Sequence, residues 1–91
     1  MPTPIIADMT WEAFRDAVND GTLALIPMGS TELEGPHLPL GVDTIVARGL
    51  AERIGDLPGL LIGPTLALGY SEWFNPFPGT ISLAHDTLQR V

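Results

Sequence analysis

The chain has 91 residues, a length that suits one domain over residues 1–91. Because 45% of the residues are hydrophobic and only 16% are charged, we expect some apolar surface to face another segment or subunit. Eleven acidic residues against four basic ones give a net charge of −7, which disfavours nucleic acid and anionic lipid as partners. The absence of cysteine excludes disulfides and thiolate metal sites.

The start of the chain shows no targeting pattern. Residues 1–8 lack a positively charged segment followed by a long apolar run, so we expect no signal peptide. Proline and glycine interrupt every apolar stretch before it reaches about 18 residues, so we expect a soluble protein with no membrane partner. Together with the lack of cysteine, these features favour a cytoplasmic location.

The first predicted helix follows Thr10, a residue type that is favoured at the N-cap. Four apolar side chains recur at helical spacing on one face: Trp11, Phe14, Ala17 and Val18. The helix should end between residues 19 and 21, where glycine suits a C-terminal cap. We therefore predict an amphipathic helix with one hydrophobic stripe.

A continuous apolar run, Leu23 to Met28, comes next and is bounded by Gly21 and Gly29. Such a run is typical of a strand buried on both faces, so we expect it to lie centrally in a sheet. Residues 29–42 hold several glycines and prolines, which predicts a loop after this strand.

The rest of the chain continues to alternate between helix and strand patterns. Helical spacing predicts a second helix that begins at Asp43 as N-cap, ends at Ile54 before Gly55, and packs on the sheet. The element order favours an α/β layer architecture with a parallel crossover. Three further predicted segments are a buried strand at Leu60 to Ile62 continuing toward Leu68, an extended piece at Gly79 to Leu83, and a helix from Asp86.

Residues 29–43, the predicted loop and the cap that follows it, hold four side chains able to bind a divalent cation: Glu32, Glu34, His37 and Asp43. No other part of the sequence is so dense in such groups, and the loop leaves the carboxyl end of a strand, where open α/β sheets bind ligands. Carboxylates and imidazole suit zinc or manganese, and a carboxylate can bridge two ions. The glycine and prolines of the loop would restrict it and so lower the entropy lost on binding.

Each of these side chains also has an interpretation without a metal. Asp43 could serve only as the N-cap of the second helix. Glu32 and Glu34, which alternate with Leu33, could form an exposed acidic edge. His37 could hydrogen-bond a backbone carbonyl. The residues alone leave these alternatives open.

A second candidate region is the aromatic segment of residues 69–80, which includes Tyr70, Trp73, Phe74 and Phe77. Aromatic side chains in a rigid loop can wall a small-molecule pocket, and they can equally cover a small core or form a subunit contact. A carbohydrate- or nucleotide-binding module is a further alternative, which the lack of a glycine-rich phosphate loop disfavours. His85, near a predicted helix start, suits a solvated or capping role.

Two blocks of the sequence resemble the creatininase family. Residues 26–44, with the sequence IPMGSTELEGPHLPLGVDT, resemble the family's strand followed by G-S-x-E-x-H-G-x-H-L-P and an aspartate. Residues 69–83, with the sequence GYSEWFNPFPGTISL, resemble a later block that ends in F-P-G-T-x-S-L. The resemblance implies a three-layer α/β/α fold with a mainly parallel sheet, of which this chain would be the N-terminal part with the C-terminal part absent. It also implies a homo-oligomer.

The resemblance further implies a hydrolase for non-peptide C–N bonds, which cleaves an amide, cyclic amide or formamide of a small molecule with a water activated by two divalent ions. The ions would be Zn²⁺ or Mn²⁺, with Fe²⁺ as an alternative. By position, Glu32 resembles a ligand of one ion and Asp43 the carboxylate that bridges both. Glu34 stands where the family commonly has a histidine ligand of the second ion, and His37 resembles a residue that orients the loop.

Glu34 adds a negative charge in place of the usual imidazole, which favours harder ions and argues against creatinine itself as substrate. The family's next motif, an N-G-H segment that supplies further ligands, does not occur in these 91 residues. No catalytic residue is therefore assigned, and we expect the isolated chain to be incomplete as an enzyme. The alternative is a non-catalytic remnant that binds a metal or a partner.

Overall fold

The structure, a computed structural model, describes residues 4–91. The element order alternates helix and strand, which makes the fold α/β as predicted. Short 3-10 turns at Ile6–Asp8 and Glu72–Phe74 accompany these elements. The helices and strands are α1 (Trp11–Asn19), β1 (Leu23–Leu25), α2 (Val42–Ile54), β2 (Leu60–Ile62) and α3 (His85–Arg90).

Helix α1 has the predicted bounds and the predicted cap. The Thr10 hydroxyl accepts a hydrogen bond from the backbone N–H of Ala13 at 3.1 Å, which satisfies one of the free donors of the first turn. The hydrophobic stripe remains largely exposed, with Trp11 71% exposed. The guanidinium of Arg15 lies 5.0 Å from the Trp11 ring centre and covers part of it.

Strands β1 and β2 pair in parallel, with Leu23 opposite Leu60, and α2 forms the crossover between them. Isolated parallel bridges extend the pairing from Met28 to Leu66 and from Ile5 to Ile62. Strand β2 therefore lies between Ile5 and β1. The sequence pattern placed the apolar run of β1 at the buried centre instead, and this prediction is wrong for the described residues. Strand β1 has a paired strand on one side only, and Leu23 is 68% exposed because no layer of the described chain covers its side chain.

Helix α2 begins at Val42, and its N-cap is Gly41, two residues before the predicted N-cap Asp43. It ends at Ile54 with Gly55 as C-cap, as predicted. The predicted packing of its apolar stripe on the sheet is not found. Among the residues of α2, only Ala51 is buried, because no layer of the described chain covers the rest of the stripe.

Residues 69–83 meet the loop of residues 29–42 through one bridge rather than through a third strand. Ile81 pairs antiparallel with Thr31, and a second bridge, from Ser82 to Gly69, lies within residues 69–83. Helix α3 then begins at His85, one residue before the predicted start. The bridge from Ile81 to Thr31 places this segment directly beside the loop that follows β1.

The core of the described chain is small. Its buried hydrophobic residues are Ala51, Leu61 and Ile62. The accessible surface of 6592 Å² exceeds the roughly 5,100 Å² expected for a compact protein of this mass. Within residues 4–91, no helix has the length and apolar character needed to cross a bilayer.

Candidate metal centre

The acidic loop (residues 29–42) runs from the end of the β1 segment (residues 23–29, which begin with β1) to the start of α2 and closes on itself. The backbone N–H of Glu32 donates to the carbonyl of Leu40 at 3.1 Å, and that of Val42 donates to Pro39 at 3.2 Å. Gly35 turns the chain with a φ of 71°, a conformation that side chains with a Cβ rarely adopt. The loop therefore returns Asp43 to the neighbourhood of Glu32.

Hydrogen bonds also anchor the loop to the two segments beside it. The Thr31 hydroxyl donates to the carbonyl of Ala67 at 2.8 Å. On the other side, the backbone N–H of Leu33 donates to the Thr80 hydroxyl at 3.2 Å, and that of Ile81 donates to the carbonyl of Thr31 at 2.9 Å. The backbone on both sides of Glu32 is thus fixed by residues that are distant in sequence.

The structure brings three of the four predicted ligand candidates together. Carboxylate oxygens of Glu32, Glu34 and Asp43 all lie within 4.8 Å of one another. A divalent ion with bonds of about 2.0–2.2 Å holds opposite ligand oxygens about 4 Å apart, so small side-chain movements would let these oxygens share an ion. The donor set is all oxygen, and it fits a divalent cation such as Mn²⁺ or Zn²⁺.

The pKa values of Asp43 and Glu34 shift in opposite directions. A hydrogen bond from the Ser30 hydroxyl to Oδ2 of Asp43, 2.7 Å long, lowers the pKa of Asp43. The pKa of Glu34 is raised, chiefly because its protonated form hydrogen-bonds Asp43, and further by partial desolvation and the negative charge of Asp43. The raised pKa of Glu34 reflects a concentration of negative charge that a divalent cation would compensate.

The end of the β1 segment is in close contact with the first turn of α2. The Thr44 hydroxyl donates to the carbonyl of Ser30 at 3.2 Å. A Cβ on Gly29 would lie 2.6 Å from both the N and Cα atoms of Thr44, so only glycine fits there. The sequence reasoning missed Ser30 and Thr44. The sequence does place a residue with a hydroxyl group near each end of the acidic loop, and this could have indicated a hydrogen bond between the two ends.

The two histidines lie outside the carboxylate cluster. His37 is exposed, with its ring against Gly35, where an added Cβ would lie 3.1 Å from Cε1 of His37. The described residues provide no hydrogen-bond partner for His37, so its role in orienting the loop stays a prediction. His85 contacts Tyr70 edge-on, with ring centroids 4.1 Å apart, instead of capping α3.

The aromatic segment borders two cavities, a polar one and a second of about 310 Å³ that is lined by Tyr70, Glu72 and Trp73. Trp73 is 87% exposed and does not line the polar cavity. The Tyr70 hydroxyl donates to Oε2 of Glu72, and this hydrogen bond is the main cause of a raised pKa for Tyr70. The polar cavity has a volume of about 560 Å³ and is lined by Tyr70, Glu72, Asn75, Ser82, Leu83, Ala84 and His85.

Comparisons with known proteins show which family the chain resembles. The creatininase family model, described as creatinine amidohydrolase, matches residues 7–91. The chain is 46% identical over 95 residues to the mycofactocin precursor peptide peptidase of Mycobacterium ulcerans, across 94% of the chain and 38% of that protein. It is 33% identical over 89 residues to the creatinine amidohydrolase of Pseudomonas putida, across 91% of the chain and 34% of that protein. The chain therefore spans little more than a third of the length of these relatives.

Solved structures show the same fold. A crystal structure of creatinine amidohydrolase superposes with a TM-score of 0.85 at 30% identity, across 93% of this chain and 35% of that one. The Mn form of creatininase gives a TM-score of 0.83 at 30% identity, across 93% and 35% of the two chains. A mutant creatininase of Zn-Zn type gives 0.80 at 31% identity, across 91% and 34%.

Proposed function

The chain belongs to the creatininase family, and on this basis we propose that its acidic loop supplies one side of a two-metal centre for hydrolysis of an amide C–N bond. The observation that carries the proposal is the convergence of Glu32, Glu34 and Asp43, whose carboxylate oxygens lie within 4.8 Å of one another. Mn and Zn-Zn forms among the structural neighbours support it.

Each carboxylate has a distinct role in this proposal. Glu32 would hold one ion, Glu34 would hold the second, and Asp43 would be shared between them. Divalent ions held there would lower the pKa of a water molecule and polarise the scissile carbonyl. Since Glu34 contributes a charged oxygen where the family commonly has an imidazole, the site favours Mn²⁺ or Fe²⁺ over Zn²⁺.

The substrate class is an amide, and the relatives widen it beyond the small-molecule amide expected from the sequence. One relative is a precursor peptide peptidase and another is a creatinine amidohydrolase. The higher identity to the peptidase favours a peptide C–N bond over a cyclic amide. We also propose a homo-oligomer, because many large apolar side chains of the described residues are exposed.

Calorimetric titration with Mn²⁺ and Zn²⁺ tests the metal centre. The double variant Glu32→Gln, Asp43→Asn should bind more than about 100-fold more weakly than the unsubstituted chain, because loss of an outer partner alone costs about 10–100-fold. The control variant Asp8→Asn, Glu12→Gln removes the same charge from exposed positions outside the loop and should bind like the unsubstituted chain. Equal heats for the unsubstituted chain and the loop variant would exclude the metal centre.

A second candidate function is a non-catalytic domain that binds a metal or a partner. The small core of the described residues favours it. An assay for hydrolysis distinguishes the two candidate functions. Hydrolysis of a short peptide or of creatinine by the Mn²⁺-loaded chain, followed by chromatography, would support the enzyme, whereas tight Mn²⁺ binding without turnover would support the binding domain.

A further inference from the structure

We infer that Ser30 is a positioning residue, which holds the Asp43 carboxylate in the orientation that a divalent ion requires; this rests on the proposed function. The Ser30 hydroxyl donates to Oδ2 of Asp43 at 2.7 Å across thirteen residues of chain. A hydroxyl bonded to a carboxylate is among the stronger hydrogen bonds in proteins. It fixes a side chain that otherwise rotates freely about χ1.

Ser30 can act in this way because it is itself held in place. The Thr44 hydroxyl donates to the carbonyl of Ser30 at 3.2 Å, so residues 29–30 and 43–44 are joined by two side-chain hydrogen bonds that run in opposite directions. The close approach of Gly29 to Thr44 makes both bonds possible. We call these four residues the Ser30–Asp43 clasp.

The clasp leaves Asp43 free to bind ions. A carboxylate has about four lone-pair positions, and the hydroxyl of Ser30 uses one of them on Oδ2. The side chain makes no capping hydrogen bond to α2, since the N-cap is Gly41. The remaining positions face Glu34 and Glu32, so ions could occupy them once those glutamates turn to the metal.

The hydrogen bond from Ser30 is also the contact that would persist when ions bind. Asp43 has interactions with Ser30, Glu34 and Glu32. Binding of ions would redirect both glutamates from Asp43 to the metal, whereas the Ser30 hydroxyl has no competing role there. Orientation of Asp43 before binding lowers the conformational entropy lost when the ions are captured.

The Mn²⁺ affinity of four proteins, measured from the electron paramagnetic resonance signal of the free ion, tests the inference. Ser30→Ala should bind Mn²⁺ about 10–100-fold more weakly than the unsubstituted chain, as for loss of other outer partners. Ser30→Thr keeps the hydroxyl, so its Mn²⁺ affinity should differ from that of the unsubstituted chain by much less than tenfold. Thr10→Ala loses a side-chain hydrogen bond at α1 and serves as the control for general destabilisation, with unchanged affinity expected.

A second measurement, which needs no metal, reports the orientation of Asp43 directly. Three-bond couplings to its Cβ protons should show one χ1 rotamer in the unsubstituted chain and in Ser30→Thr, and averaged rotamers in Ser30→Ala. Equal Mn²⁺ affinities for the unsubstituted chain and Ser30→Ala would overturn the positioning role and leave the proposed function intact. If the unsubstituted chain binds no ion, the proposed function fails, and the couplings alone decide for or against positioning.

Discussion

The acidic loop illustrates what single residue types reveal and what they leave open. The density of possible ligands singles out four side chains, His37 among them, and the family resemblance selects Glu32, Glu34 and Asp43, whose carboxylates lie together in the structure. For Asp43, capping of a helix was an equally plausible role from residue type, and the structure gives that position to Gly41. Ser30 escaped prediction because a serine in a loop has many possible partners, and only the return of the chain at Asp43 selects one.

Tyr70 provides a prediction at the residue scale, because it is the only tyrosine in the chain. Its hydroxyl donates to Glu72, and this hydrogen bond raises the Tyr70 pKa above the ordinary value of about 10. The phenolate should therefore appear, by ultraviolet absorbance, at higher pH than in a model peptide.

The matched variant for this titration is Glu72→Gln, which removes the negative charge and should move the midpoint back toward about 10. A raised pKa in the folded state means that the neutral phenol contributes stability below pH 10, and that this contribution is lost as the pH rises through the folded pKa. An identical midpoint for both proteins would show that Glu72 does not act on Tyr70.

At the scale of elements, local sequence signals predicted where helices lie better than what they contact. The Thr10 cap of α1 and the Gly55 stop of α2 were both predicted, because capping depends on a few neighbouring residues. The contact between Gly29 and Thr44 joins the β1 segment to α2 and depends on the path of the intervening loop. No periodicity in the sequence encodes that contact.

Gly29→Ala tests this contact between elements. Its Cβ would lie 2.6 Å from backbone atoms of Thr44, so the backbone must shift, and we expect a loss of about 1–3 kcal/mol in the free energy of unfolding. Urea unfolding followed by circular dichroism measures the change. Gly29→Ala should also weaken Mn²⁺ binding, because the shift separates Ser30 from Asp43.

The control for that variant is Gly49→Ala, within α2. A Cβ there meets no heavy atom within 4 Å, and alanine favours the helix over glycine by about 1 kcal/mol, so this variant should be more stable than the unsubstituted chain. Equal stability of the two glycine variants would show that the close approach of Gly29 is not a constraint.

At the scale of the whole molecule, the α/β class was predicted correctly and the burial was not. The radius of gyration is 15.6 Å, against about 12 Å for a compact chain of this length. The stripes of α1 and α2 and the apolar run of β1 are largely exposed for the same reason, since the described chain offers no second layer to cover them. Exposed apolar surface of this kind favours association with another protein chain.

We therefore predict that the 91-residue chain associates with itself. Sedimentation velocity over a range of concentrations should give a mean mass above 9.7 kDa that rises with concentration, and an environment-sensitive hydrophobic dye should fluoresce on binding. The variant Ile45→Gln, Leu50→Gln removes apolar area from α2 and should reduce both signals, whereas Arg48→Gln on the same helix should not. A monomer that binds no dye would contradict the prediction.

The sequence by itself determined the properties that depend on neighbouring residues. These are the approximate bounds of α1, α2 and β2, the α/β order, the acidic loop and the family resemblance. Helical period, caps and turn residues act over a few positions, so they can be recognised without knowledge of the fold.

Only the tertiary structure decided which groups meet across long stretches of chain. It placed β2 rather than β1 between pairing partners, joined Ser30 to Asp43, and set Thr31 beside Ile81. It also left the apolar stripes exposed. These outcomes depend on the paths of loops and on which surfaces face one another, and neither is encoded in the local order of residues.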